Sequence, residues 1–282
     1  MNISILGCGW LGLPAALELM SKGYKVKGST TRRDKLRQLE ISGVHPWIVR
    51  VNDRIECSPN EDFWEADLIL LNIPPGRADR DRLTDFPNRI RLILNKSLEY
   101  KIGWILFVSS TSVYPKSGGM MEEKDAGARH TSSESGEILL KCEKLLNDCE
   151  GLDVTTIRFG GLYGIDRHPV KYLSGRTGLK DPAKPVNLIH RDDCVRIIAE
   201  IVRQEVKNET FNAVSDMHPS REEFYTSAAR YYGLDLPEFQ KENRVPDEGY
   251  RTISNRKLKE RLNYRFLYPD PMDHPPIELK NS

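Results

Sequence analysis

The chain has 282 residues, with 42 lysines and arginines against 41 aspartates and glutamates and a formal net charge of +1. So even a balance provides no overall field to draw in nucleic acid or an anionic membrane, and no apolar run approaches the ~20 residues that a spanning helix needs. The five cysteines (Cys8, Cys57, Cys142, Cys149, Cys194) lack CxxC spacing and the six histidines lack metal-ligand spacing, so the expectation is a metal-free protein of a reducing compartment.

Residues 3–12 read ISILGCGWLG, an apolar strand running into Gly7-x-Gly9-x-x-Gly12. Gly7 supplies a tight turn and Gly9 lets a pyrophosphate approach the backbone. Gly12 lets the next helix pack on the strand and aim its N-terminal N–H groups at the phosphates. That helix is expected over Leu13 to Lys22, with Pro14 in its first turn and Gly23 as its stop. The start of the chain lacks a basic n-region and is broken early by glycines, so it does not read as a signal peptide. Tyr24 to Thr31 reads as a second strand, a polar helix follows from about Asp34 to Ser42, and Trp47 to Val51 is a short third strand.

Asp67 to Ile73 (DLILLNI) is a continuous apolar run, the pattern of a parallel strand buried on both faces, which Pro74-Pro75-Gly76 ends. Leu83 to Tyr100 is helical, Trp104 to Ser109 is another buried strand, Glu137 to Cys149 is an amphipathic helix, and Val154 to Phe159 is a sixth strand. This alternation implies an α/β fold, a Rossmann-type doubly wound parallel sheet with a small C-terminal substrate domain. Ile165 to Pro185 is an excursion, Arg191 to Gln204 a helix, Thr210 to Ala213 a return strand, and Arg221 to Tyr232 and Arg256 to Leu262 are helices. The expected division is a dinucleotide domain of 1–165 plus 187–213 and a small domain of 166–186 plus 214–282.

Two further segments carry chemistry. Val108 to Tyr114 (VSSTSVY) takes a strand out of the sheet through four hydroxyls, where a nicotinamide would lie. After the second strand come Thr31, Arg32 and Arg33, with no carboxylate until Asp34. Hydroxyls followed by guanidinium groups suit a 2′-phosphate, so NADP is the expected cofactor and NAD the alternative. The excursion also offers His168, Lys171, Arg176, Lys180 and Lys184 to an anionic diphosphate, or simply to solvent.

The glycine turn, SSTSVY, Arg158-Phe159-Gly160-Gly161-Leu162-Tyr163-Gly164, NLIHRDD at 187–193 and Ile253-Ser254-Asn255-Arg256-Lys257-Leu258 together resemble the extended short-chain dehydrogenases/reductases, the superfamily of sugar-nucleotide epimerases and dehydratases. GCGWLGLP, SSTSVY and Arg167-His168-Pro169 are most similar to its atypical YeeZ-type subgroup of NAD(P)-dependent epimerase/dehydratase-like proteins. The spacing GxGxxG differs from the GxxGxxG usual in the extended family. The resemblance implies that Ser110 orients substrate. It also implies a Tyr-x-x-x-Lys pair on the next helix, whose phenol exchanges protons and whose ammonium lowers the phenol pKa. Aligned on Glu143, those two positions hold Ser135 and Leu139, and neither can do this work. Tyr114 and Tyr163 are the alternative proton donors, followed by His130 and Lys141.

The expected catalytic residues are Ser110 and Tyr114. Dinucleotide contacts are expected from Gly7, Gly9, Trp10, Leu11 and Gly12, from Thr31, Arg32 and Arg33, and from Ile73, Pro74 and Ser109. Tyr163, His168 and Arg176 are the expected substrate contacts. Two functions stay open: an oxidoreductase or epimerase/dehydratase-type enzyme on a small-molecule substrate such as a nucleotide-linked sugar, or an inactive NADP(H)-binding redox sensor. Either would be a cytoplasmic monomer or homodimer with no nucleic-acid or membrane partner.

Overall fold

The computed structural model describes residues 1–76, 79–116, 118–127, 131, 133–241 and 249–275. Strand β1 (Asn2–Leu6) leads through the glycine turn into helix α1 (Gly12–Ser21), which stops before Gly23, a residue at φ +86°. Next come β2 (Lys25–Thr30), α2 (Leu36–Ile41), β3 (His45–Val51), β4 (Ile55–Ser58) and β5 (Leu68–Leu71). The helix expected over Leu83 to Tyr100 is two helices, α3 (Arg80–Thr84) and α4 (Phe86–Glu99), divided at Asp85. The chain continues as β6 (Trp104–Ser110), β7 (Met120–Met121), α5 (Glu134–Asn147), β8 (Asp153–Phe159), β9 (Gly161–Tyr163) and β10 (Leu188–His190). It ends with α6 (Arg191–Arg203), β11 (Thr210–Ala213), α7 (Arg221–Tyr231), β12 (Thr252–Ile253) and α8 (Arg256–Leu262).

Eight strands form one sheet in the order β11-β8-β6-β5-β1-β2-β3-β4. β1 pairs in parallel with β2 and β5, β2 with β3, and β5 with β6, while the short β4 runs antiparallel to β3. The chain turns back on itself between β1 and β5, and this reversal of strand order is where doubly wound sheets bind ligands, outside the carboxyl ends of the strands. All four residues of β5 are fully buried, as are Ile3 and Ile5 of β1, so the continuous apolar runs do lie inside the sheet. Helix α5 begins a turn before the expected Glu137, because the Ser133 hydroxyl caps it by accepting the Gly136 N–H at 3.2 Å.

The chain divides into two compact units, 1–113 with 131–158 and 195–211, and 114–130 with 159–194 and 212–282. The expected boundaries differ from these: 114–130, 159–165, 187–194 and 212–213 fall in the second unit instead of the dinucleotide domain. The short strands explain the shift, since β9 pairs with β10 and β7 with β12, each in parallel and apart from the large sheet. Within the second unit Tyr163, Val186, Leu188 and Phe224 form one apolar cluster, and Val170, Ala228 and Ala229 form another. The fully buried Asp193 carboxylate fixes the tail by accepting the Tyr264 hydroxyl at 2.7 Å and the N–H groups of Leu267 and Tyr268 at 2.7 and 2.9 Å. No described helix is long and apolar enough to cross a membrane.

Candidate functional site

The glycine turn after β1 is built so that only glycine fits at two of its three positions. Gly7 has φ +103°, and a Cβ there would lie 2.4 Å from the Asn72 carbonyl oxygen; a Cβ on Gly12 would lie 2.2 Å from the Gly7 carbonyl oxygen. Gly9 is different, because a Cβ there would meet nothing within 4 Å. The protein thus leaves open the side from which a pyrophosphate would approach. Asn72, at the end of β5, holds the turn by donating its amide to the Gly7 carbonyl at 2.9 Å, and the Ser29 hydroxyl accepts the Gly7 N–H at 3.1 Å. Asn72 is a positioning residue that the sequence reading passes over, though its place at the mouth of DLILLNI is the signal for it. Cys8 is inside this turn, and burial pushes its thiol up to about 12, far from a reactive thiolate.

Leu11 stands at the N-cap of α1 with no side-chain cap, so no side chain there occupies the place of an incoming anion. Leu11 is buried and Trp10 half-buried, while Ile73 borders Gly7 and Pro74 is exposed. Thr31, Arg32 and Arg33 are exposed beyond β2. Arg32 is held by Asp34 through Nε at 3.1 Å and Nη2 at 2.5 Å, so the carboxylate that the sequence places after the arginines folds back on the first of them. Arg33 opens a short 3-10 turn.

The hydroxyls at the exit of β6 divide by burial. Ser109 is 5% exposed and donates to Glu143 Oε1 at 2.5 Å, and Glu143 in turn accepts from Arg158 Nε and Nη2, the latter at 2.7 Å. The Ser109 side chain therefore belongs to a buried structural triad, and this corrects its expected side-chain role toward a cofactor. Ser110 is half-buried and its Oγ accepts the Ser112 N–H at 3.2 Å, which leaves its own proton to donate elsewhere. On α5, Leu139 is a core residue at 3% exposure, and the Ser135 hydroxyl lies 3.2 Å from that of Ser133. A Cβ on Gly136 would lie 2.2 Å from the Ser112 carbonyl oxygen, so the first turn of α5 presses on the β6 exit.

The tyrosines are placed otherwise than the sequence reading expects. Tyr114 is fully buried in the second unit and its hydroxyl donates to Asn212 Oδ1 at 2.7 Å, so it serves packing rather than proton exchange. Tyr163 is also fully buried. Its hydroxyl has no hydrogen-bond partner among the described residues, and burial raises its phenol far above the range of a neutral-pH acid. Its ring meets His168 edge-on at 5.6 Å. His168 caps the turn over Pro169–Tyr172 by accepting the Val170 N–H on Nδ1. Burial, then the neighbouring His274, Lys171 and His190, hold His168 down to about 4, so it is neutral. Both residues belong to the interior of the second unit, a correction to their expected contact with substrate; Arg176 is exposed and has no ring contact with them. Lys141 is exposed, and His130 lies outside the described residues.

No family model matches the chain. It is 29% identical over 277 residues to the protein YeeZ of Escherichia coli K12, covering 97% of this chain and 98% of that protein. Among solved structures, UDP-glucose 4-epimerase from Thermotoga maritima, with UDP-glucose, superposes with a TM-score of 0.75 at 16% identity over 97% of this chain and 98% of that one. A short-chain dehydrogenase/reductase superfamily protein from Agrobacterium tumefaciens, with bound NAD, superposes with a TM-score of 0.72 at 16% identity over 97% and 94%. The chain is thus a homologue of YeeZ, built on the Rossmann-type fold of the epimerases and short-chain dehydrogenases/reductases.

Proposed function

We propose that the chain binds a nicotinamide dinucleotide on the Gly7–Gly12 turn, NADP(H) by preference. We propose that it acts as an oxidoreductase or an epimerase/dehydratase-type enzyme on a nucleotide-linked sugar or another small carbonyl or hydroxyl substrate, without a Tyr-x-x-x-Lys pair. The observation that carries the reading is the open face of Gly9 between two positions where a side chain would strike backbone. Similar folds hold UDP-glucose and NAD, which fits the same chemistry. When bound, the nicotinamide would supply hydride transfer. The residues of this chain would hold it: Gly7, Gly9 and Gly12 with the α1 N-terminus at the pyrophosphate, and Arg32 with Arg33 at a 2′-phosphate. Arg32 keeps further N–H groups beyond the two given to Asp34, and that exposed pair is readily exchanged for a phosphate. Ser110, whose Oγ accepts the Ser112 N–H and keeps its own proton, would orient a substrate oxygen.

A second reading, binding without turnover as a redox-responsive regulator, is favoured by one observation. Leu139 is in the core, and the hydroxyls of Tyr114 and Tyr163 are bonded to Asn212 or sealed inside the second unit. Calorimetric titration with NADPH and NADH tests the binding common to both. Gly9→Ala should keep the melting temperature and lose dinucleotide binding; a variant that binds as the parent does would overturn the site. Oxidation or epimerisation of UDP-sugars, lost in Ser110→Ala with binding kept, separates enzyme from regulator.

A further inference from the structure

Arg89 of α4 is a buried charge that neither the fold nor the glycine turn explains. It is 3% exposed, and its guanidinium makes no ion pair with a carboxylate among the described residues. Nη2 donates to two backbone carbonyls, Pro75 and Arg82, each at 3.0 Å, and the group lies 4.9 Å from the Phe86 ring centre. The Nε–H has no partner among the described residues. The acidic neighbours Asp79 and Asp85 favour the charge from a distance without forming an ion pair with it; Asp79 caps α3 through the Arg82 N–H and Asp85 accepts from Asn88. Burial, and after it the Arg82 charge, pulls the Arg89 pKa below the ordinary arginine range, yet arginine stays protonated. Burying a charge without an ion-pair partner is costly.

The carbonyls that Arg89 grips give the charge a purpose. Pro75 belongs to the turn after β5. The same connection holds Asn72, which bonds the Gly7 carbonyl at 2.9 Å, and Ile73, whose Cγ2 would lie 3.2 Å from a Cβ on Gly7. In this turn Gly76 has φ +90°, and a Cβ there would lie 2.9 Å from Arg82 Cγ. The segment under Arg89's control is therefore continuous with the wall of the glycine turn, within the first unit.

We propose that Arg89 is a positioning residue for the dinucleotide, fixing the Pro74–Gly76 turn beside the glycine turn and supplying a buried positive charge that the cofactor's pyrophosphate answers. The inference rests on the dinucleotide reading above. At an effective dielectric of about 20, a charge within roughly 10 Å of a pyrophosphate changes affinity by about tenfold.

The test compares Arg89→Gln, which keeps a donor for the carbonyls, with Arg89→Lys, which keeps the charge. Each is titrated with NADPH at low and high salt, and with adenosine as a phosphate-free probe. Arg89→Gln should bind NADPH about tenfold more weakly with a flatter salt dependence, while its adenosine affinity is unchanged and Arg89→Lys stays within about threefold of the parent. Parent-like NADPH binding by Arg89→Gln, or equal losses for NADPH and adenosine, would overturn the proposal. If Arg89→Gln does not fold, the Arg89 Nε–H resonance of the parent protein, assigned by its loss in Arg89→Lys, gives a second readout. It should shift and gain exchange protection on NADPH addition, and an unmoved signal overturns the role. A parent protein that binds neither NADPH nor NADH would instead sink the dinucleotide reading itself.

Discussion

Glu143 and Arg158 of the first unit are 4% and 6% exposed, and they meet charge to charge at 2.7 Å. In the second unit Tyr163, His168 and His274 are buried as deeply, yet the Tyr163 hydroxyl, His168 Nε2 and His274 Nδ1 have no hydrogen-bond partner among the described residues. Apart from one hydrogen bond to each histidine, from the Val170 N–H to His168 Nδ1 and between Ser227 and His274 Nε2, their surroundings are rings. His168 stacks on Phe224 at 5.6 Å and meets Tyr232 edge-on at 5.2 Å, while His274 lies 5.3 Å from Tyr231. The contrast separates two ways of burying polar groups. One keeps ions and pairs them; the other keeps neutral groups neutral through an apolar aromatic surround. The first should be fragile to mutation and the second to acid.

The sharpest way to break this contrast is to remove one ion of the pair. Arg158→Met leaves Glu143 buried and unanswered and should cost about 3–5 kcal/mol in chemical denaturation. The double change Arg158→Met with Glu143→Leu should recover much of that loss. If the double variant is no better than the single one, the pair is not the reason for the burial. Leu139→Ala should cost roughly 2–5 kcal/mol by opening a cavity at the helix position where a catalytic lysine would stand. A loss under 1 kcal/mol would mean that this face of α5 is less tightly packed than its burial indicates.

Acid tests the second unit. His168 titrates near 4 when folded and at 6.5 when exposed in the unfolded chain, so between those values the unfolded state binds more protons. Stability therefore falls as pH drops through 6.5 and the loss is complete near 4, about 3 kcal/mol for this group. His190, His218 and His274 are shifted the same way, chiefly by burial, and add in the same direction. Hydrogen exchange at pH 5 should accelerate in α7 and β10 before it does in β1 and β5, and His168→Gln should flatten the pH dependence. A uniform response of both units would overturn the contrast. A smaller effect is expected from Tyr114→Phe, which loses one buried hydrogen bond worth about 1 kcal/mol and should leave dinucleotide binding and turnover unchanged. The smallest effect on stability is expected from Arg32→Ala with Arg33→Ala. That pair should melt like the parent but lose any excess thermal stabilisation by NADPH over NADH.

The same contrast explains what could be read from the sequence. β1, β5 and β6 stand out as apolar runs because a parallel strand buried on both faces has no polar alternation, and the Gly7–Gly12 turn follows from its place between strand and helix. The second unit gives no such signal. β7, β9, β10 and β12 have two or three residues each, too few for any period, and His168 and Tyr163 look like site residues because polar chemistry in a sequence does not reveal its burial. Two features of the first unit were legible in principle. Glu143 falls on the stripe of Leu139, Cys142 and Leu146, and Arg89 on that of Phe86, Ile90 and Ile93. A lone charge among apolar positions at helical spacing marks a buried ion. The partners, Arg158 for one and the Pro75 carbonyl for the other, come from tertiary folding and had no local signature.

The burial of Leu139 bears on how this chain could be re-engineered. Ser135→Tyr with Leu139→Lys would write the missing pair back into the sequence, yet the lysine would enter the core, where its ammonium has neither water nor a carboxylate reserved for it. Beside it, Gly136 admits no Cβ against the Ser112 carbonyl, so the helix cannot back away from β6 without losing that contact. Installing an ordinary acid–base relay here is therefore first a problem of repacking α5, and only afterwards one of chemistry.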